Sequence, residues 1–148
     1  MYLEIKKGRI QMAKKRVIAR NGEGYQVIAE VDGHEYIMDQ PKETPGGGDT
    51  GTNPGGMLLT ALAGCNVMVA KMYLDGKQVP YQSIEVEVIG DYDVKASETD
   101  FQASIEVTVD ADLSEDELER LARYAERKCV ISQIVMQENP IKTVFVRK

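Results

Sequence analysis

The chain has 148 residues, with 18 Lys and Arg against 24 Asp and Glu, for a formal charge of -6 at pH 7. A chain of that length carries one hydrophobic core, so a single domain is expected over residues 1–148, and a composition that is 43% hydrophobic and 28% charged argues against disorder. The acidic balance lacks the basic footprint that nucleic acid or an anionic membrane surface demands, so neither is expected as a partner. The first residues interleave charged and apolar side chains, unlike a signal peptide, and the cytoplasm is the expected compartment. In that reducing setting, the two cysteines, Cys65 and Cys129, are expected to be free, catalytic or redox-cycling. With His34 they are the only thiol and imidazole groups, too few for a structural zinc site, so neither a metal nor another cofactor is expected.

In chain order, the first forty residues read as antiparallel hairpins. Tyr2, Ile5, Ile10 and Met12 are scattered among lysines, followed by β-rich runs at 25–31 and 35–38 around the turn pair Asp32-Gly33; Asn21-Gly22 is a second turn signal. Residues 40–56 have the composition of a functional loop and end in Asn53-Pro54, a cap followed by a favoured first helical residue. The spacing of Leu58, Leu62, Cys65, Val69 and Met72 predicts a helix from Pro54 to Asp75, closed by Gly76, roughly 33 Å long at 1.5 Å per residue. It is apolar on most sides and needs cover all round. Alternating strands follow at 83–89 and 101–109, with Glu85, Glu87 and Glu106 toward water. Ser114 and Glu117 form a capping box, with Leu113 and Leu118 as its staple, before a helix that buries Leu118, Leu121, Ala122 and Ala125. A helix break is expected near Cys129, and a last strand at 143–146. This order gives an α+β, two-layer protein. Its long helix and unpaired N-terminal hairpin suggest an intertwined homodimer.

A thiol attacks as thiolate, and burial on an apolar helix face disfavours that form unless a cation or backbone amides offset it. Arg16 and Arg20 are the candidate cations for Cys65, with Arg20 preferred for its place beside the Asn21-Gly22 turn, while a helix starting near Cys129 would offer its amides to that sulfur. The alternative is that both cysteines are small core hydrophobes. The glycines at 46–48 lack the Lys and Ser/Thr of a phosphate loop and supply flexibility. His34 reads as a surface residue, and residues 115–117 as a dipole-favouring acidic cluster.

The segment from Gly51 through Thr52, Asn53 and Pro54 to Cys65, the Cys129 segment from Glu126 to Ser132, and the Met38–Pro41 stretch together resemble the OsmC/Ohr family of thiol-dependent hydroperoxide reductases. The resemblance implies an α+β homodimer in which strands of both subunits wrap the central helices. It also implies that Cys65 attacks an organic hydroperoxide and becomes a sulfenic acid, that Cys129 resolves it as a disulfide, and that a dithiol restores the pair. Arg20 would hold the Cys65 thiolate, and Leu58, Leu62, Met68 and Met72 would offer an apolar surface to the substrate. Gly55 and Gly56 stand where many members carry a glutamate that orients the arginine, so Glu43 or Asp49 is the candidate replacement. The rival reading is a small-molecule binding protein of the same fold with weak or no peroxidase activity.

Overall fold

The computed structural model describes residues 15–92, 101–138 and 141–147. The expected extended residues Tyr2, Ile5, Ile10 and Met12 lie outside them. Eight elements follow in order: β1 (Val17–Asn21), β2 (Val27–Val31), β3 (His34–Met38), α1 (Pro54–Lys77), β4 (Ser83–Tyr92), β5 (Phe101–Asp110), α2 (Glu115–Lys128) and α3 (Val130–Val135). The chain forms two compact units, Met1–Gly55 and Gly56–Lys148.

In the first unit, β1, β2 and β3 form an antiparallel sheet in that order. Asp32 and Gly33 both take positive φ, 52° and 79°, which is the backbone a two-residue hairpin turn requires, and they pin Val31 opposite His34. The other turn is longer than the Asn21-Gly22 signal suggests. Asn21 still pairs with Val27 in the sheet, and the Gly22 N–H reaches the Gln26 carbonyl at 2.7 Å. The loop behind β3 is tied to one buried carboxylate. Asp39 accepts from the backbone N–H groups of Gln40 (2.7 Å), Gly48 (3.2 Å) and Thr50 (3.2 Å) and from the Thr50 hydroxyl (2.8 Å). Gly47 is required there, because a Cβ would run into the Pro41 carbonyl oxygen.

In the second unit, β4 and β5 pair antiparallel from Ser83 opposite Asp110 to Tyr92 opposite Phe101. Ile84, Val86 and Val88 turn inward while Glu85, Glu87 and Glu106 face water, as the period of two predicts. α1 starts at Pro54 as expected and buries the stripe Leu62, Asn66, Val69, Ala70 and Leu74. Its Leu59 lies against β4 where Gly90, lacking a Cβ, leaves room. The helix runs past Gly76 and ends at Lys77. Gln78, at φ 56°, takes the left-handed closing position, and the N–H groups of Gln78 and Val79 return to the Asp75 and Leu74 carbonyls at 3.0 and 2.9 Å. Fully buried Leu74 fixes that last turn, so the stop follows packing and falls on a residue with no intrinsic preference for it.

The capping box of α2 forms in both directions, with the Ser114 N–H 2.8 Å from the Glu117 carboxylate and the Glu117 N–H 3.4 Å from the Ser114 hydroxyl. Its buried face is rotated from the expected one. Leu121 is buried and Tyr124 half-buried, while Leu118 and Ala122 are exposed, because Tyr124 turns toward α1 to meet the Tyr73 ring at 5.1 Å between centroids. The expected strand at 143–146 is not formed. Val144, Phe145 and Val146 are exposed, and strand propensity cannot act without an adjacent strand edge to pair with.

Candidate functional site

Cys65 sits in the middle of α1, half-buried beside the buried stripe. Cys129 lies at the break between α2 and α3. Its backbone is extended (φ -71°, ψ 99°), and it serves at once as C-cap of one helix and N-cap of the next. As N-cap, its sulfur takes the place an oxygen usually fills, accepting from the Ser132 N–H at 3.5 Å and from the Ser132 hydroxyl at 3.1 Å. A third donor comes from α1. The Asn66 amide, 5% exposed, gives one N–H to the Leu62 carbonyl at 2.9 Å and another to the Cys129 sulfur at 3.6 Å.

The two thiols, distant in sequence, are both free, and each bears on the ionisation of the other. Their surroundings push them apart. Burial raises the Cys65 thiol above its ordinary value, and Cys129 adds to the rise, while the Ile131 and Val130 backbone N–H groups oppose it without cancelling it. Burial also bears most heavily on Cys129, but the Ser132 hydroxyl, the Cys65 thiol and the Ser132 and Ile131 N–H groups together outweigh it, leaving Cys129 below the ordinary value. Among the described residues, no guanidinium or ammonium group contributes to either shift.

The other residues named from sequence are placed as follows. Arg20, on β1, gives its guanidinium to the Glu35 carboxylate on β3 at 3.1 Å, both side chains being about half exposed. Glu35, and not Glu43 or Asp49, is the carboxylate that orients it. On α1, Leu62 is buried at 2% exposure, whereas Leu58 and Met68 are exposed at 40% and 68%. Asn66 and Ser132 were not singled out from sequence, although each carried a signal. Asn66 is a polar residue next to Cys65 in an apolar helix, and Ser132 stands three residues after a helix-opening cysteine, the spacing of a cap contact.

Residues 46–144 match the family model described as OsmC-like protein. The chain belongs to the OsmC-like family. No curated protein matches it by sequence. Among solved structures, an OsmC-like protein from Mycoplasma pneumoniae superposes with a TM-score of 0.75 at 18% identity, over 85% of this chain and 89% of that one. An organic hydroperoxide resistance protein OsmC from Legionella pneumophila gives 0.66 at 16% identity, over 85% and 91%. The organic hydroperoxide resistance protein OhrB of Bacillus subtilis gives 0.60 at 21%, over 83% and 90%. At these identities the likeness establishes the OsmC-like fold, an α+β arrangement of antiparallel sheets with one long helix.

Proposed function

We propose that this OsmC-like protein is a cysteine-based peroxidase that reduces organic hydroperoxides, with Cys65 and Cys129 cycling between dithiol and disulfide. The observation that carries the reading is the approach of two free thiols from separate parts of the chain, with Asn66, the neighbour of Cys65 on α1, donating to the Cys129 sulfur at the α2–α3 break at 3.6 Å. Family membership supports a redox role, and two structural neighbours are named for organic hydroperoxide resistance.

In the proposed cycle, the Cys65 thiolate attacks the terminal peroxide oxygen. An S–O bond forms as the O–O bond breaks, and the departing alkoxide takes a proton to leave as alcohol. The Cys129 thiolate then attacks the sulfenic sulfur, forming the disulfide and releasing hydroxide, which leaves as water once protonated. An external dithiol reduces the disulfide by exchange. Cys65 takes the first step because it is the more accessible sulfur, and Cys129, 1% exposed and held low by its donors, suits the second. Arg20 is the proposed cation for ionising Cys65. Leu58 and Leu62, two turns and one turn before Cys65, and Met68, one turn after it, are proposed to meet the organic group of the substrate.

The working form is proposed to be a homodimer of one OsmC-like domain per chain, located in the cytoplasm. Exposed Val17 and Ile18 on β1 and exposed Met68 on α1 are apolar surface that a second copy would cover. Light scattering should give twice 16.4 kDa.

Adding cumene hydroperoxide to the reduced protein should lower its mass by two hydrogens, and Cys65→Ser should abolish that change. A Cys65→Ser protein that consumes peroxide as fast as the parent would refute the assignment. Arg20→Gln should slow peroxide consumption and leave disulfide reduction by a dithiol unchanged. The second reading, a binding protein, is favoured by one observation, the raised Cys65 thiol. A reduced protein that keeps both thiols in excess hydroperoxide would select it.

A further inference from the structure

Outside the cysteine pair, a cavity of about 410 Å3 opens between the end of α1 and the outer face of α2. Neither cysteine lines it. Its polar wall consists of Lys77, Arg120, Arg123 and Arg127, and the rings of Tyr73 and Tyr124, tilted at 55° to one another, form part of the rest. In a chain of net charge -6, four cations thus converge on one concavity that no carboxylate lines.

Helix chemistry does not account for that cluster. Arg120, Arg123 and Arg127 are three and four residues apart on one face of α2, a spacing at which like charges repel and weaken the helix. Arg127 lies in the last turn, where it complements the helix dipole, but Arg120 and Arg123 lie too far from that end. Nearby acids compensate weakly. Glu119 pairs with Arg123 at 3.1 Å on exposed surface, and Glu117, which feels the Arg120 charge, is committed to the Ser114 capping box. Among the described residues, no ion pair engages Lys77, Arg120 or Arg127.

We propose that this cavity binds a small organic phosphate carrying a planar ring, of the nucleotide kind. Guanidinium groups offer paired N–H donors matched to phosphate oxygens, and Lys77 adds a point charge. The tyrosine pair supplies aromatic surface for the ring and hydroxyl donors at its edge. The volume lies within the range of small-molecule sites. The site is separate from the thiol pair, so it stands or falls independently of the peroxidase reading.

The test is calorimetric titration of the full-length reduced protein at low ionic strength with adenosine diphosphate, inorganic phosphate and adenosine. Adenosine diphosphate should bind most tightly, phosphate more weakly and adenosine not measurably, with affinity for the nucleotide falling as salt rises. Arg120→Gln with Arg127→Gln should weaken nucleotide binding at least about tenfold, as expected for lost charge-assisted hydrogen bonds. Lys77→Gln, on the other helix, should weaken it in the same direction. All three side chains sit on an open cavity wall, so circular dichroism and the thermal midpoint should match the parent. The proposal is overturned by nucleotide affinity weaker than about 1 mM, by adenosine or phosphate binding as tightly as the nucleotide, or by arginine variants that bind it unchanged.

Discussion

Replacing Ser132 with Ala removes the shortest contact to the Cys129 sulfur, the hydroxyl at 3.1 Å, while sparing the Ser132 backbone N–H at 3.5 Å. Hydrogen bonds to charged groups contribute roughly 1.5–3 kcal/mol, and sulfur is a weak acceptor, so the low end, about 1.5 kcal/mol, is the working figure. That corresponds to about a tenfold smaller thiolate population wherever Cys129 is mostly protonated. The clean measurement is the ultraviolet absorbance of thiolate against pH in Cys65→Ser and in Cys65→Ser with Ser132→Ala, where Cys129 is the only cysteine. The second curve should lie at higher pH, and Ser132→Thr, which keeps a hydroxyl, should restore the first. Superimposable curves would show that the hydroxyl does not favour the charge, and the lowering of Cys129 relative to Cys65 would lose its principal cause.

Leu74, with no exposed surface, should cost about 2–5 kcal/mol on replacement by Ala, read as a lowered urea midpoint with unchanged slope. Ser114→Ala, which removes the capping side chain of α2, should cost about 1 kcal/mol in the same assay. The Thr50 hydroxyl holds the Asp39 carboxyl below its ordinary range; burial opposes this, and the N–H groups of Thr50, Gln40 and Gly48 reinforce it. A depressed folded value means that Asp39 stabilises the fold above its unfolded pKa, about 3.9, and that this is lost as pH falls through the folded value. Thermal midpoints followed into acid should therefore drop less steeply in Asp39→Asn than in the parent, from a lower starting point at neutral pH.

Features encoded within a few residues were legible in the sequence. The Ser114 capping box, the Asp32-Gly33 turn, the Pro54 helix start and the break at Cys129 each depend on local backbone chemistry and stand where that chemistry puts them. Features decided by tertiary contact were not legible. α1 closes on Gln78 instead of Gly76 because Leu74 is packed in its last turn, and α2 is rotated because Tyr124 meets Tyr73. Glu35 was missed as the partner of Arg20 because that pairing crosses β2, and its register depends on a Gly22–Gln26 turn whose length no dipeptide signal gives. The thiol donors fall between these cases. Ser132 could be found by cap spacing, whereas the contact of Asn66 with Cys129 needed the packing of α1 beside the α2–α3 break.

α1 itself shows why composition and structure must be weighed together. Its 24 residues, with a window of mean hydropathy 1.5, are long and apolar enough to cross a membrane, and only 28% of that window is buried within one chain. Three of its polar groups nevertheless have protein partners: the Asn66 amide on the Leu62 carbonyl and Cys129 sulfur, the Thr60 hydroxyl on the Gly56 carbonyl at 2.8 Å, and the Lys71 ammonium 5.6 Å from the Tyr81 ring centre. In a lipid-facing span, the contacts with Cys129 at the α2–α3 break and Tyr81 in the α1–β4 connection would have to be broken or carried into the bilayer. A second protein surface satisfies the same apolar demand without that cost. The exposed Met68, one turn from Cys65 on α1, fits the proposed dimer, in which a second copy of the chain would cover it and shield the nearby thiol from water.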